Sequence, residues 1–131
     1  YIISEKIYPD GKVEKNIPKN VREVISPKTA STITGMLISV VENGYGEKAK
    51  VDGYYLGGKT GTAQVADESG GYGSKTIQSF IGFGPVSNPK FVMLVMLDNP
   101  KGIRYASDSV APLFGKLADY LLNYYQVPPD Y

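Results

Sequence analysis

The sequence predicts an α+β fold, an antiparallel sheet flanked by helices. Three observations point to it: apolar residues at helical spacing both early and late in the chain, three β-rich runs between them, and turn residues at the junctions. With 131 residues and 42% apolar content, the chain supports one modest core and one domain, residues 1–131.

Residues 1–8 read as a short extended segment, closed by the turn Pro9-Asp10-Gly11-Lys12, whose glycine supplies a permissive backbone. The abrupt start is that expected of a piece of a longer chain. From Ser26-Pro27 the pattern changes. A capping serine and a proline at the first helical position precede Ile33, Leu37, Val40 and Val41, so a helix is expected over about 27–42, stopped by Asn43-Gly44. Residues 54–65 carry threonine and tyrosine with too many glycines for a helix, and are expected to form a strand. A polar, glycine-rich stretch at 67–74 is expected to be a mobile connection. Two further runs, 76–84 and 90–98, flank Pro85-Val86-Ser87-Asn88-Pro89 and predict an antiparallel hairpin. The second run is apolar almost throughout, so a central strand covered on both faces is expected. Finally, Val110, Leu113, Phe114, Leu117, Leu121 and Leu122 mark one stripe of a helix over about 107–125, which Pro128-Pro129 cannot continue.

Composition excludes several function classes. Fourteen Lys plus Arg against thirteen Asp plus Glu give a net charge of +1, so no broad field draws the chain to nucleic acid or an anionic membrane. With neither cysteine nor histidine, there is no disulfide, thiol nucleophile, imidazole base or usual zinc set, so neither metal nor histidine-dependent chemistry is expected. No run of eighteen apolar residues and no signal-peptide pattern occurs. Tyr54, Tyr55, Tyr120, Tyr124 and Tyr125 could line a groove, but half-buried packing is the commoner use of such tyrosines. Lys12, Lys15, Lys48 and Lys50 read as solvated surface, and Lys101 and Arg104 as a weak case for substrate contact.

The sharpest feature is Lys59-Thr60-Gly61-Thr62. In a strand, alternation puts Lys59, Gly61 and Ala63 on one face and Thr60 and Thr62 on the other. The ammonium can hold a carboxylate or tune a nearby hydroxyl, the threonines can hydrogen-bond a carboxylate, and Gly61 leaves room for close approach of a substrate backbone. On chemistry alone, a plain surface strand reads equally well.

The wider context resembles the serine transpeptidases of the penicillin-binding family. Gly57-Gly58-Lys59-Thr60-Gly61-Thr62-Ala63-Gln64 looks like their third active-site motif. The likeness continues through Ser79-Phe80-Ile81-Gly82-Phe83-Gly84-Pro85, Asn88-Pro89-Lys90-Phe91 and Ala111-Pro112-Leu113-Phe114, over about residues 26–130, and is strongest to the class B enzymes. It implies the C-terminal portion of the serine β-lactamase/transpeptidase fold.

In that family a helical Ser-x-x-Lys supplies the nucleophile and a Ser-x-Asn motif faces it, both upstream of the lysine strand. Ser87-Asn88-Pro89-Lys90 matches the first pattern, but it falls in the expected hairpin turn with proline inside. Ser107-Asp108-Ser109 ends in serine and is expected to cap the last helix. The resemblance therefore implies a substrate-binding half whose nucleophile lies outside the chain, inactive alone. Lys59 would join the polar network around the nucleophile, Thr60 and Thr62 would take a carboxylate, Gly61 would line the same strand, and the Thr62 N–H would serve an oxyanion hole.

The implied partners are D-Ala-D-Ala stem peptides, β-lactams, the N-terminal remainder of the domain and other wall-synthesis proteins. The implied location is the extracytoplasmic face of the bacterial membrane, with the anchor outside this chain. A D,D-carboxypeptidase, a β-lactamase, a β-lactam sensor and a noncatalytic peptide-binding module stay open as alternatives.

Overall fold

The computed structural model describes residues 3–66 and 70–131. Near the N-terminus, β1 (Glu5–Ile7) and β2 (Val13–Lys15) pair as an antiparallel hairpin with every residue exposed. Gly11 makes the turn at φ 83°. The Tyr8 hydroxyl donates to the Glu14 carboxylate at 2.7 Å, a bond that needs the neutral phenol and so raises its pKa above the ordinary range.

Helix α1 (Pro27–Asn43) starts as its sequence directs. Ser26 Oγ accepts from the Thr29 N–H at 3.1 Å, and Pro27 sits where no N–H is needed. A single 3-10 turn, Glu47–Ala49, follows. The main sheet contains β3 (Gly57–Ala66), β4 (Tyr72–Gly84) and β5 (Phe91–Asp98), antiparallel and in that order. Helix α2 (Val110–Tyr124) closes the chain.

Register assigns the faces. Thr60 lies opposite Phe80 and Thr62 opposite Gln78, while Lys59 lies opposite Ile81, which in turn faces Leu94. The face bearing Gly58, Phe80, Gly82 and Val95 packs under α2, with the Phe80 and Phe114 rings 4.6 Å apart. The core is Phe80, Phe114, Leu56, Leu122, Val41 and Val110, all essentially inaccessible to solvent. Helix α1 covers one end of the opposite face, where Leu37 approaches Gly57.

Several expectations need correction. The strand expected from residue 54 starts at Gly57, because Tyr54 and Tyr55 are tied to the C-terminal tail. The Tyr54 hydroxyl donates to the Val127 carbonyl, the Tyr55 N–H donates to Asp130 Oδ2 at 2.8 Å, and the Tyr55 and Tyr131 rings lie 4.8 Å apart. Of the connection expected over 67–74, residues 67–69 lie outside the described residues, and from Tyr72 the chain is already strand.

β5 is an edge strand among the described strands, and only one of its faces is covered. Val95 is buried with Phe91, Met93 and Leu97 packed around it, whereas Val92, Leu94 and Met96 are exposed by 73%, 60% and 59%. Apolar side chains on both faces state what a strand can bury, and this chain supplies a cover for one face only.

The buried stripe of α2 is also rotated from the expected one. Ala111, Gly115 and Ala118 are buried with Val110, Phe114 and Leu122, while Leu113 and Leu117 are partly exposed. The small residues let the 3-10 turn press close, since a Cβ on Gly115 would lie 3.1 Å from the Lys48 carbonyl oxygen. Tyr120, Tyr124 and Tyr125 are not half-buried. They are exposed and contact one another, with Tyr120 and Tyr124 stacked at 5.9 Å. Among the described residues, no helix is long and apolar enough to cross a membrane.

Candidate functional site

β3 has β4 on one side and no described strand on the other, so the Lys59-Thr60-Gly61-Thr62 segment lines an open edge. Its alternation is the one expected: Thr60 and Thr62 face the α2 side, and Lys59 and Gly61 face away. A Cβ on Gly61 would come 2.7 Å from Ser79 Oγ, so glycine here admits the neighbouring strand's hydroxyl as well as keeping the edge low.

Each threonine hydroxyl already accepts one bond. Lys59 Nζ reaches around the edge to donate to Thr60 Oγ1 at 3.2 Å and to the Thr60 carbonyl at 3.0 Å. The Ala106 N–H donates to Thr62 Oγ1 at 3.3 Å. A hydroxyl with an occupied lone pair still has its proton to give, so both oxygens are available as donors to an anionic or carbonyl ligand. Among the described residues, no carboxylate comes within ion-pair distance of Lys59. Ammonium, two hydroxyl protons and an unpaired strand edge make a set suited to a peptide ending in carboxylate.

Thr60 and Thr62 open into a cavity of about 330 Å³ walled by Tyr45, Tyr105, Ala106 and Ser107. A second cavity of about 370 Å³ lies further along, between Thr76 and the segment carrying Asn99, Lys101 and Arg104. The strand motif contributes nothing to that one, so the first is the candidate site.

Sequence reasoning placed the four strand residues and missed the wall opposite them. Tyr105, Ala106 and Ser107 belong to the connection between β5 and α2, which the structure brings against Thr62 across 44 residues of chain. A tyrosine and two small residues carry no signal for this. Lys101 and Arg104 lie in the same connection but line the other cavity, and the Arg104 guanidinium rests over the Tyr105 ring at 5.3 Å.

The two serine patterns fall as follows. Ser87 is in the β4–β5 turn and donates to the Asp130 carboxylate, at the end of the sheet where β3 begins. Ser109 stands at the N-cap position of α2, yet its hydroxyl caps no helical N–H and donates to Gln78 Oε1 instead. That corrects the capping assignment: the Ser109 backbone is helical (φ −110°, ψ −75°) rather than extended as at an N-cap, and its hydroxyl turns instead to a buried amide. Lys48 and Lys50 are more than solvated surface, pairing with Asp108 at 2.7 Å and Glu42 at 3.2 Å.

Comparison with known proteins agrees with the strand and its surroundings. The family model described as the penicillin binding protein transpeptidase domain matches residues 1–119. The chain belongs to this family. Stage V sporulation protein D of Bacillus subtilis is 42% identical over 120 residues, covering 89% of this chain and 19% of that protein. Peptidoglycan D,D-transpeptidase FtsI of Buchnera aphidicola is 33% identical over 134 residues, covering 99% of this chain and 23% of its own length. The crystal structure of penicillin binding protein 3 from Mycobacterium tuberculosis, complexed with ampicillin, aligns with a TM-score of 0.79 at 35% identity, covering 97% of this chain and 30% of that one. The chain thus spans about a fifth of the curated relatives' length, and its α+β architecture is that of penicillin-binding transpeptidase domains.

Proposed function

We propose that this chain is the substrate-binding, C-terminal part of a peptidoglycan D,D-transpeptidase that β-lactams inhibit. The observation that carries the reading is that Lys59 Nζ meets the Thr60 hydroxyl, and Thr60 and Thr62 open side by side into one cavity, along an edge of β3 that no described strand pairs. The relatives named as D,D-transpeptidases and the ampicillin and aztreonam complexes of the aligned structures support it.

In the reaction, a serine outside this chain attacks the carbonyl of the penultimate D-alanine of a stem peptide. The C–N bond to the terminal D-alanine breaks, and the leaving amine takes a proton. An amine of a second stem peptide then attacks the acyl-serine, forming the cross-link and returning the serine hydroxyl. Here Thr60 and Thr62 hold the terminal carboxylate, and Lys59 stabilises that anion and the protons around the serine. Gly61 lets the peptide lie along the edge, and the Thr62 N–H donates to the developing oxyanion. The remaining N-terminal part of the domain covers the exposed face of β4 and β5, and the whole acts on the extracytoplasmic side of the membrane from an anchor outside this chain.

The test is labelling by a fluorescent penicillin on a denaturing gel. The chain alone is expected to stay unlabelled, while the full-length protein is expected to label, with Thr62→Val slowing it by about tenfold or more. Labelling of the isolated chain, or full-rate labelling of Thr62→Val, would overturn this assignment.

A further inference from the structure

Gln78 is the one buried polar side chain among the described residues, at 0% exposure in a core otherwise apolar. It lies directly opposite Thr62 in the β3–β4 register and therefore beside it on the α2 face. Its amide is fully engaged. Nε2 donates to the Ile103 carbonyl at 3.0 Å and more weakly to Thr76 Oγ1 at 3.4 Å, and Oε1 accepts from the Ser109 hydroxyl. Ile103 and Ser109 bracket the segment whose middle residue, Ala106, donates its N–H to Thr62 Oγ1. One buried amide thus pins both ends of the strap that crosses the candidate site.

An apolar residue at this position would match the rest of the core. A buried amide is tolerated only when its donors and acceptors are met, and then it fixes one geometry, since any displacement of the strap leaves it unsatisfied. The geometry set here is the height of Ala106 above β3. At that height the Ala106 N–H occupies a lone pair of Thr62 Oγ1, which turns the hydroxyl proton away from Ala106.

We propose that Gln78 is a positioning residue for the transpeptidase site. It holds residues 103–109 so that Ala106 fixes the Thr62 hydroxyl as a donor to the ligand carboxylate. The inference rests on the function proposed above and goes beyond it, since Gln78 touches no ligand and acts only through Thr62.

The experiment is a double-mutant cycle on the full-length protein, reading the second-order rate of acylation by a fluorescent penicillin. Gln78→Met keeps the volume and removes the amide. It is expected to slow acylation about tenfold in the native background and less than about twofold in Thr62→Val, because its effect passes through that hydroxyl. Should Gln78→Met not fold, Ser109→Ala removes one partner of the amide from a less buried position. It is expected to give a smaller loss, about threefold, that likewise vanishes in Thr62→Val. Equal losses in both backgrounds would show a merely structural role, and no loss in either would show no role; each overturns the inference. If the unmodified protein does not label, or Thr62→Val labels at full rate, the proposed function itself fails and this inference with it.

Discussion

The two faces of the three-stranded sheet are built from similar residues and meet different fates. On one, Phe80 and Val95 lie under α2 with Phe114 against them. On the other, Ile81, Val92, Leu94 and Met96 remain half exposed or more, with α1 covering only the end near Gly57. Apolar character alone therefore does not distinguish a face that this chain buries from one that it presents. The difference lies in which helix the topology delivers to each side.

That contrast can be broken most forcefully in the core. Phe80→Ala is expected to cost about 3–5 kcal/mol in chemical denaturation of the 131-residue chain, while Leu94→Ala costs less than about 1 kcal/mol. Similar losses from both would mean that the outer face is covered after all. Glycines sharpen the same difference at a smaller scale. A Cβ on Gly82 would lie 2.6 Å from Phe114 Cζ and 2.9 Å from the Gly57 carbonyl oxygen, so Gly82→Ala is expected to cost about 1–3 kcal/mol. Gly61→Ala meets only the Ser79 hydroxyl, which can rotate, and is expected to cost under about 1 kcal/mol. A thermal melt of each variant ranks them, and the reverse order would contradict the assignment of faces.

The outer face yields a prediction of association rather than stability. Added in trans, the N-terminal part proposed to cover this face is expected to yield a mixture that labels with penicillin; Leu94→Lys with Met96→Lys is expected to abolish that rescue while leaving the melting midpoint nearly unchanged. Undiminished rescue would place the joining surface elsewhere. The smallest effect is expected at Lys48, whose pair with Asp108 is about half exposed on both sides. Lys48→Ala is expected to cost at most about 1 kcal/mol, and less in high salt, as denaturation at two ionic strengths would report.

Elements with strong local chemistry were legible in the sequence. Ser26-Pro27 marked the start of α1, the glycine-rich lysine strand marked β3, and Pro85 to Pro89 marked the turn between β4 and β5. The candidate site was legible only along that one strand. Tyr45, Tyr105 and Ala106 were not, because the residues forming its wall are ordinary in type and distant in sequence. Nor does the sequence show that Ser109, expected as a cap, has a helical backbone and turns its hydroxyl to Gln78, 31 residues away.

The sequence by itself determined the periodicity of each segment, the excluded chemistries and the alternation that puts Thr60 and Thr62 on one side. These follow from covalent order and backbone geometry, which act over a few residues. Only the tertiary structure decided which sheet face is covered, which stripe of α2 is buried and which groups meet Thr62 and Gln78. Those outcomes depend on helix packing and on a long connection returning to β3, and no local pattern specifies where such a connection comes to rest.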